Sequence, residues 1–207
     1  MRPIMTIKIF TRAIAVCSVL FSLFACSSSD ETKAPPTVKE ISSDSENLKG
    51  LLLEVPVEAY LGTQDISVQE TESLFESLQE EHPALKVALG PAVDCQPDGA
   101  VFSSPATLHL PFSAKAYDDA VANFTITHIA VVWVSSGVVG MDVGPVGYVG
   151  MDVGPVGKAA SSKDLIGASL GPIAISQNAD NAQFDLLATI SVSHFTTFQV
   201  FALAQET

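Results

Sequence analysis

The chain has 207 residues, a formal net charge of −13 and 47% hydrophobic residues. Its first 25 residues contain three basic side chains and no acid, so the rest of the chain holds seven lysines, no arginine and all 23 acids, a net charge of −16. An acidic body without arginine excludes a nucleic-acid partner, because phosphate recognition needs basic side chains. The hydrophobic fraction excludes a wholly disordered acidic chain, because it supplies enough apolar residues for a packed core.

The N-terminus has the pattern of a targeting segment. Residues 13–25 are apolar and uncharged, and they follow a basic stretch. As a helix they would span about 20 Å, which is shorter than the ~30 Å hydrocarbon core of a bilayer. We therefore predict a signal peptide over residues 1–25 rather than a transmembrane anchor.

The end of this segment, Leu23-Phe24-Ala25-Cys26, resembles the bacterial lipobox. The resemblance implies that Cys26 is acylated and becomes the new N-terminus, so that acyl chains hold the protein at a membrane. Residues 26–47 are rich in serine, proline and acids and are predicted to form a flexible, disordered tether. By the same resemblance, Ser27 favours the outer membrane of a Gram-negative envelope. The folded part of the chain would then lie either in the periplasm or on the cell surface.

Cysteine usage agrees with an envelope protein. Once the signal peptide is removed and Cys26 is acylated, Cys95 is the one thiol left, so no intramolecular disulfide can form. We expect Cys95 to be buried, because burial protects a lone thiol in an oxidising compartment.

Short β-rich runs separated by turn residues fill the chain from residue 48 onwards. Many short strands at this spacing predict an all-β fold, an antiparallel β-sandwich over residues 48–204. The predicted strands cover residues 51–57, 65–70, 86–93, 106–112, 124–134, 171–176, 184–192 and 195–203.

Several of these runs alternate with period two. In the run 106–112, Leu108 and Leu110 share one face while His109 lies on the other. In the run 195–203, one face has Phe198, Val200 and Ala202 and the other has Gln199, Phe201 and Leu203. Strict alternation predicts strands with one buried face and one more exposed face.

The segment 70–83 departs from this pattern. Leu74 and Leu78 are spaced as on one face of a helix, and the segment is acidic and ends before Pro83. It predicts one short helix packed over a sheet end. An acidic surface loop is the alternative.

A decapeptide repeat interrupts the second half of the chain. Residues 139–148 (VGMDVGPVGY) recur as residues 149–158 (VGMDVGPVGK), identical at nine of ten positions. Repeat solenoids need three or more units, and the glycines and proline disfavour a helix or a central strand. We predict a flexible loop inserted after the strand 124–134. The alternative is an exposed, slightly apolar binding loop.

Three blocks of the body carry motifs of one family, namely residues 53–70, 88–112 and 192–201. The middle block has a P-x-G-x-x-F-x-x-P pattern formed by Pro97, Gly99, Phe102 and Pro105, and the last block contains Ser193-His194-Phe195-Thr196. These blocks resemble the ZU-five domain of zonula occludens proteins, netrin receptors and ankyrins, in its bacterial form. The resemblance implies a β-sandwich used for interaction or assembly, without an enzymatic pocket.

The same resemblance implies an alternative function, because some eukaryotic relatives of this domain cut themselves at a His-Phe-Ser step. Carried over, His194 would be the base, Thr196 the nucleophile and the Phe195–Thr196 bond the scissile one. A structural role is the competing interpretation, in which Phe195 fills the core.

No other pattern points to an enzyme, a metal site or a cofactor, and none is expected. The four histidines are dispersed without the spacing of metal ligands. The carboxylates in predicted turns are Asp94, Asp98, Asp118, Asp119 and Asp180. They are either solvated or the ligands of a Ca²⁺-binding sandwich. A carbohydrate-binding sandwich is a further alternative, weakened by a body with one tryptophan.

The sequence therefore predicts a lipid-anchored envelope protein whose sandwich is a non-enzymatic binding or assembly module. Its expected partners are the membrane, through the acyl chains, and another envelope or surface protein.

Overall fold

The computed structural model describes residues 38–135, 148–157 and 161–204, which contain two antiparallel sheets of six strands each. The first sheet has the strand order β1 (Val38–Ile41), β2 (Leu52–Pro56), β6 (Val101–Phe112), β11 (Leu186–His194), β10 (Ile173–Gln177) and β9 (Ser169–Leu170). The predicted all-β antiparallel sandwich is confirmed.

The second sheet has the strand order β3 (Ser67–Thr71), β5 (Ala92–Gln96), β12 (Thr197–Ala204), β7 (Ile126–Ser135) and β8 (Tyr148–Pro155). Strand β4 (Leu85–Ala88) pairs with β12 as well. The run 86–93, which was predicted as one strand, is therefore two strands separated at Gly90-Pro91.

Facing sides of the two sheets share one hydrophobic core. Leu108 and Leu110 on β6 belong to the same cluster as Phe198 and Val200 on β12, and each is at most 1% exposed. His109 lies on the opposite face of β6 and is half-buried. The predicted alternation is confirmed for β6.

The prediction of a more exposed second face is wrong for β12. Gln199 and Phe201 on that face are 1% and 0% exposed. The cover comes from helix α1 (Phe75–Leu78) and strand β4, because Leu78 and Leu85 join Phe201 in a second hydrophobic cluster. Alternation along one strand cannot reveal a cover supplied by a distant segment.

The segment 70–83 contains both of its predicted alternatives. Strand β3 continues to Thr71, and α1 is a single turn whose Leu78 is buried at 5% exposure. The acidic residues around this turn are exposed.

A second helix, α2 (Ala114–Asn123), was not among the predicted elements. The Ser113 hydroxyl accepts a hydrogen bond from the backbone amide of the third helical residue at 3.2 Å and so caps the N-terminus. Tyr117 and Ala120, three residues apart, face the core at 0% and 1% exposure.

The first sheet begins before the predicted domain boundary. Strand β1 pairs with β2, with Ile41 opposite Leu53, and Ile41 packs against the core. The prediction of a disordered tether is therefore wrong for residues 38–47. Strand β1 is the first strand in the sheet order, where charged side chains such as Lys39 and Glu40 are common.

The second copy of the repeat is a strand, so the prediction of a loop is wrong for residues 148–155. Strand β8 pairs with β7 along its whole length and is the last strand in the order of its sheet. A Cβ at Gly154 would lie 2.3 Å from the carbonyl oxygen of Leu170, so glycine is required by this close approach. The first copy lies outside the described residues, apart from Tyr148.

The predicted signal peptide over residues 1–25, the acylation site Cys26 and the tether up to residue 37 also lie outside the described residues. Among the helices of the described ranges, none combines the length and apolar character needed to cross a bilayer.

Candidate functional site

Strands β11 and β12 belong to different sheets and are joined by only two residues, Phe195 and Thr196, both 0% exposed. The Phe195 amide donates to the Ala100 carbonyl at 2.8 Å, and the Gly99 amide donates to the Phe195 carbonyl at 3.1 Å. The connection is thereby tied to the turn before β6. We call the region formed by the starts of β6 and β12 and the end of β11 the Phe195 end.

Three aromatic rings pack together at the Phe195 end. The ring centroids of Phe195 and Phe102 are 4.6 Å apart with an interplanar angle of 86°, an edge-to-face contact. The Tyr60 centroid lies 6.3 Å from Phe102 and 6.4 Å from Phe195. The two motif blocks that contain Phe102 and Phe195 therefore contact each other in the folded chain.

Gly99 of the first block occupies a turn that requires glycine for its conformation. Its φ is +74°, in the left-handed region that side chains with a Cβ rarely adopt. A Cβ would meet nothing within 4 Å, so backbone conformation and not space selects the glycine.

The two residues of the predicted self-cleavage step lie at this end. The His194 ring lies edge-on to Trp133 with centroids 4.6 Å apart, and its Nδ1 is 3.4 Å from the Ser193 hydroxyl. The Thr196 hydroxyl donates to the Val134 carbonyl. Nucleophilic attack requires that hydroxyl to give its proton to His194 instead. Self-cleavage stays the alternative to a structural role, and the Gly99 amide donates to the carbonyl that would be attacked.

Exposed aliphatic side chains lie beside the aromatic rings. Leu61, Val101 and Val57 are exposed by 83%, 71% and 55%. The Ser103 amide donates to the Ala59 carbonyl at 2.9 Å, so the segment that contains Val57 and Leu61 runs along the start of β6. We call these three side chains the Leu61 patch. The patch was not among the predicted sites, although apolar residues within a turn-rich segment are a usable signal.

A polar network crosses the outer face of the first sheet. His109 on β6 lies 3.2 Å from a Glu54 carboxylate oxygen through Nε2 and 2.9 Å from the Thr189 hydroxyl through Nδ1. Because a carboxylate only accepts, Nε2 carries a hydrogen, and in the neutral imidazole Nδ1 then accepts from the Thr189 hydroxyl. This order of hydroxyl, imidazole and carboxylate is that of a nucleophile, a base and its orienting group. The backbone amides around these three side chains pair within the sheet. We therefore interpret the network as structural, because it links the three strands β2, β6 and β11 and holds them in register.

Cys95 is buried, as predicted, with an exposed fraction of 0%, and its thiol is free. Burial, and then the charge of Asp94, raise the pKa of the Cys95 thiol to about 12. A thiol with this pKa is protonated at neutral pH and is a poor nucleophile.

Three of the five carboxylates that were predicted in turns lie in a strand or a helix. Asp94 lies in β5 and accepts from the Thr197 hydroxyl at 3.1 Å, while Asp118 and Asp119 lie on α2. Asp118 accepts from the amide and the hydroxyl of Ser162 at 2.6 and 2.9 Å. The prediction of turns is wrong for these three acids. Within the described ranges, His, Cys, Asp and Glu side chains form no group of three that could hold a metal ion.

An open groove of about 440 Å³ lies between the end of β3, the turn between β4 and β5, and the start of α2. Gln199 reaches this groove from β12, and its amide nitrogen donates to the Gly90 carbonyl at 2.8 Å and to the Ser73 hydroxyl at 3.1 Å. Its amide oxygen accepts from the Leu74 amide at 2.8 Å. Gln199 is therefore engaged in joining β12 to the two segments beside it.

A scan against protein-family models finds no match to the chain, and a search of the curated proteins finds none either.

Proposed function

We propose that this protein is a lipid-anchored component of a bacterial cell envelope and that its sandwich is a non-enzymatic module for binding or assembly. The anchor is inferred from the lipobox-like sequence that ends in Cys26 and from the basic and apolar segment before it. The binding module is inferred from the resemblance to ZU-five domains. The observation that carries it is the exposed Leu61 patch.

The Leu61 patch has two properties of a protein-binding surface. Its side chains are exposed by 55–83%. Removing exposed aliphatic side chains from water lowers the free energy, so a partner that covers them is bound more tightly. Leu61 follows Tyr60 and Val101 precedes Phe102, so the backbone that carries these two patch residues is anchored by packed aromatic rings. Rigid support of this kind lowers the conformational entropy that binding costs.

Charge around the patch indicates the chemistry of the partner. Glu58 and Asp98 are exposed and lie next to patch residues or to the turn that precedes them. Lys39 pairs with Val55 near the same end, whereas Lys49 lies before β2 and Lys115 lies after β6, both at the opposite end of the first sheet. An apolar contact beside acids favours an envelope protein whose apolar surface is surrounded by lysine or arginine, because opposite charges speed association and select the partner.

Photo-crosslinking in living cells of the source bacterium tests the binding module. A photoreactive phenylalanine analogue at Leu61 or Val101 should give the same discrete crosslinked band, and Glu58→Lys together with Asp98→Lys should weaken it. The matched control carries the analogue at Ile166, which is 45% exposed and lies just before β9. No band at Leu61 and Val101, or an equal band at Ile166, would refute the module.

Metabolic labelling with palmitate tests the anchor independently of the partner. The wild type should be labelled and sediment with membranes, whereas Cys26→Ala should lose both the label and the membrane association. Labelling that persists in the variant, or a wild type that takes up no label, rules out acylation at Cys26.

A further inference from the structure

Strand β8 is built from the second copy of the decapeptide repeat. It pairs antiparallel with β7 from Ser135 opposite Tyr148 to His128 opposite Pro155. In this register a link of twelve residues, 136–147, joins the paired ends of the two strands.

The first copy offers the same strand sequence ten residues earlier. Residues 139–145 and 149–155 are both VGMDVGP, so a slip of ten residues would place the same residue type at every one of these paired positions. Ten is an even number, and an even slip keeps each side chain on its original face of the sheet. The two registers are therefore equivalent in pairing and in facing.

The slip also produces a regular hairpin. Val138 would take the position of Tyr148 opposite Ser135, and only Ser136-Gly137 would remain between the two strands. Links of two residues are the commonest in β-hairpins, and a glycine in the link suits the positive φ that such turns require. The ten surplus residues would move to the connection between β8 and the 3-10 helix Ser162–Asp164.

Contacts of β8 with the rest of the sandwich suit the first copy equally well. A Cβ at Gly154 would lie 2.3 Å from the Leu170 carbonyl oxygen, and the first copy has Gly144 at the same place. Val156 is 5% exposed and its amide donates to the Thr127 carbonyl at 3.0 Å, and the first copy has valine there as well.

We propose that either copy of the repeat can form β8 and that the chain exchanges between the two registers. The exchange moves ten residues from the link between β7 and β8 to the connection that follows β8, and the one residue type that changes within β8 is Tyr148, which Val138 replaces. It does not depend on the proposed binding function.

Glycine replacements distinguish exchange from a single register. Gly154→Ala blocks the second copy, because the new Cβ would clash with the Leu170 backbone, and the chain should respond by using the first copy. Gly144→Ala blocks the first copy and leaves the second in place. We expect each single variant of the purified full chain, in mild detergent, to melt within about 2 °C of the wild type. The double variant should melt lower by roughly 5 °C or more, because neither copy fits.

A deletion supplies the matched control. Removal of residues 139–148 leaves one copy and the two-residue link, so this variant should fold and melt no lower than the wild type. Gly154→Ala in the deletion background should then cause the full loss seen in the double variant. The proposal is overturned if Gly154→Ala alone lowers the melting temperature as much as the double variant, or if the double variant melts like the wild type.

Discussion

Replacing Phe195 by alanine tests the packing of the Phe195 end. The ring is 0% exposed and meets Phe102 edge-to-face at 4.6 Å, so its removal deletes buried apolar area and an aromatic pair. A buried Phe→Ala change costs about 3–5 kcal/mol in the free energy of unfolding. Phe195→Leu keeps most of the apolar area and loses the ring pair, so we expect a smaller loss of about 1–2 kcal/mol. Both variants keep the backbone hydrogen bonds of residue 195.

Urea unfolding, followed by the fluorescence of the single tryptophan, measures these losses. Trp133 lies in β7 and contacts His194, so it reports on the same end of the sandwich. Leu61→Ala is the matched control, because Leu61 is 83% exposed and should change the free energy of unfolding by no more than about 0.5 kcal/mol. The reasoning is refuted if Phe195→Ala costs less than about 1 kcal/mol or no more than the control.

The buried thiol, the buried amide of Gln199 and the Phe195–Thr196 bond lead to three further predictions. Burial raises the pKa of Cys95 from its ordinary value of 9.0 to about 12, so the folded chain keeps this proton to higher pH than the unfolded chain. The associated stability is present below about pH 9 and should fall as the pH rises towards about 12. In urea melts, Cys95→Ala should lack this pH-dependent part of the free energy of unfolding. An identical pH dependence in the wild type and the variant would contradict the raised pKa of Cys95. Gln199→Leu removes the hydrogen bonds of the amide to the Gly90 carbonyl, the Leu74 amide and the Ser73 hydroxyl and should cost about 1–3 kcal/mol in the same melts, whereas a neutral effect would show that these bonds are dispensable. Intact-mass measurement should show one uncut species, because the Thr196 hydroxyl is engaged by a backbone carbonyl, and a species lacking the 12 residues 196–207 would establish self-cleavage.

The strands that could be predicted are those whose pattern is local. Alternation in the run 106–112 correctly separated the buried Leu108 and Leu110 from the half-buried His109. Helix α2 escaped prediction because its periodicity is carried mainly by alanine, which marks a buried face weakly. Its Ser113 cap was visible in the sequence, but serine is equally common in turns.

Strands β1 and β8 were missed for a different reason, although β3, which also lies at one end of a sheet order, was predicted as the run 65–70. Strand β1 has charged residues and β8 has glycines, and both compositions argue against a strand in the middle of a sheet. Each strand lies at one end of its sheet order, where one side of the backbone needs no partner in the sheet. The position of a strand in the order depends on the other strands, so composition alone led to the wrong prediction.

By itself the sequence determined the fold class and most of the strands, because alternation and hydrophobicity act within short segments. The count of cysteines, which leaves Cys95 as a lone thiol, predicted its burial. Tertiary structure alone decided which segments became neighbours. It placed His109 between Glu54 and Thr189, covered the outer face of β12 with α1, and left Leu61 exposed beside the aromatic cluster. These features depend on the pairing of residues far apart in the chain, and the register of such pairs follows from packing the whole core at once.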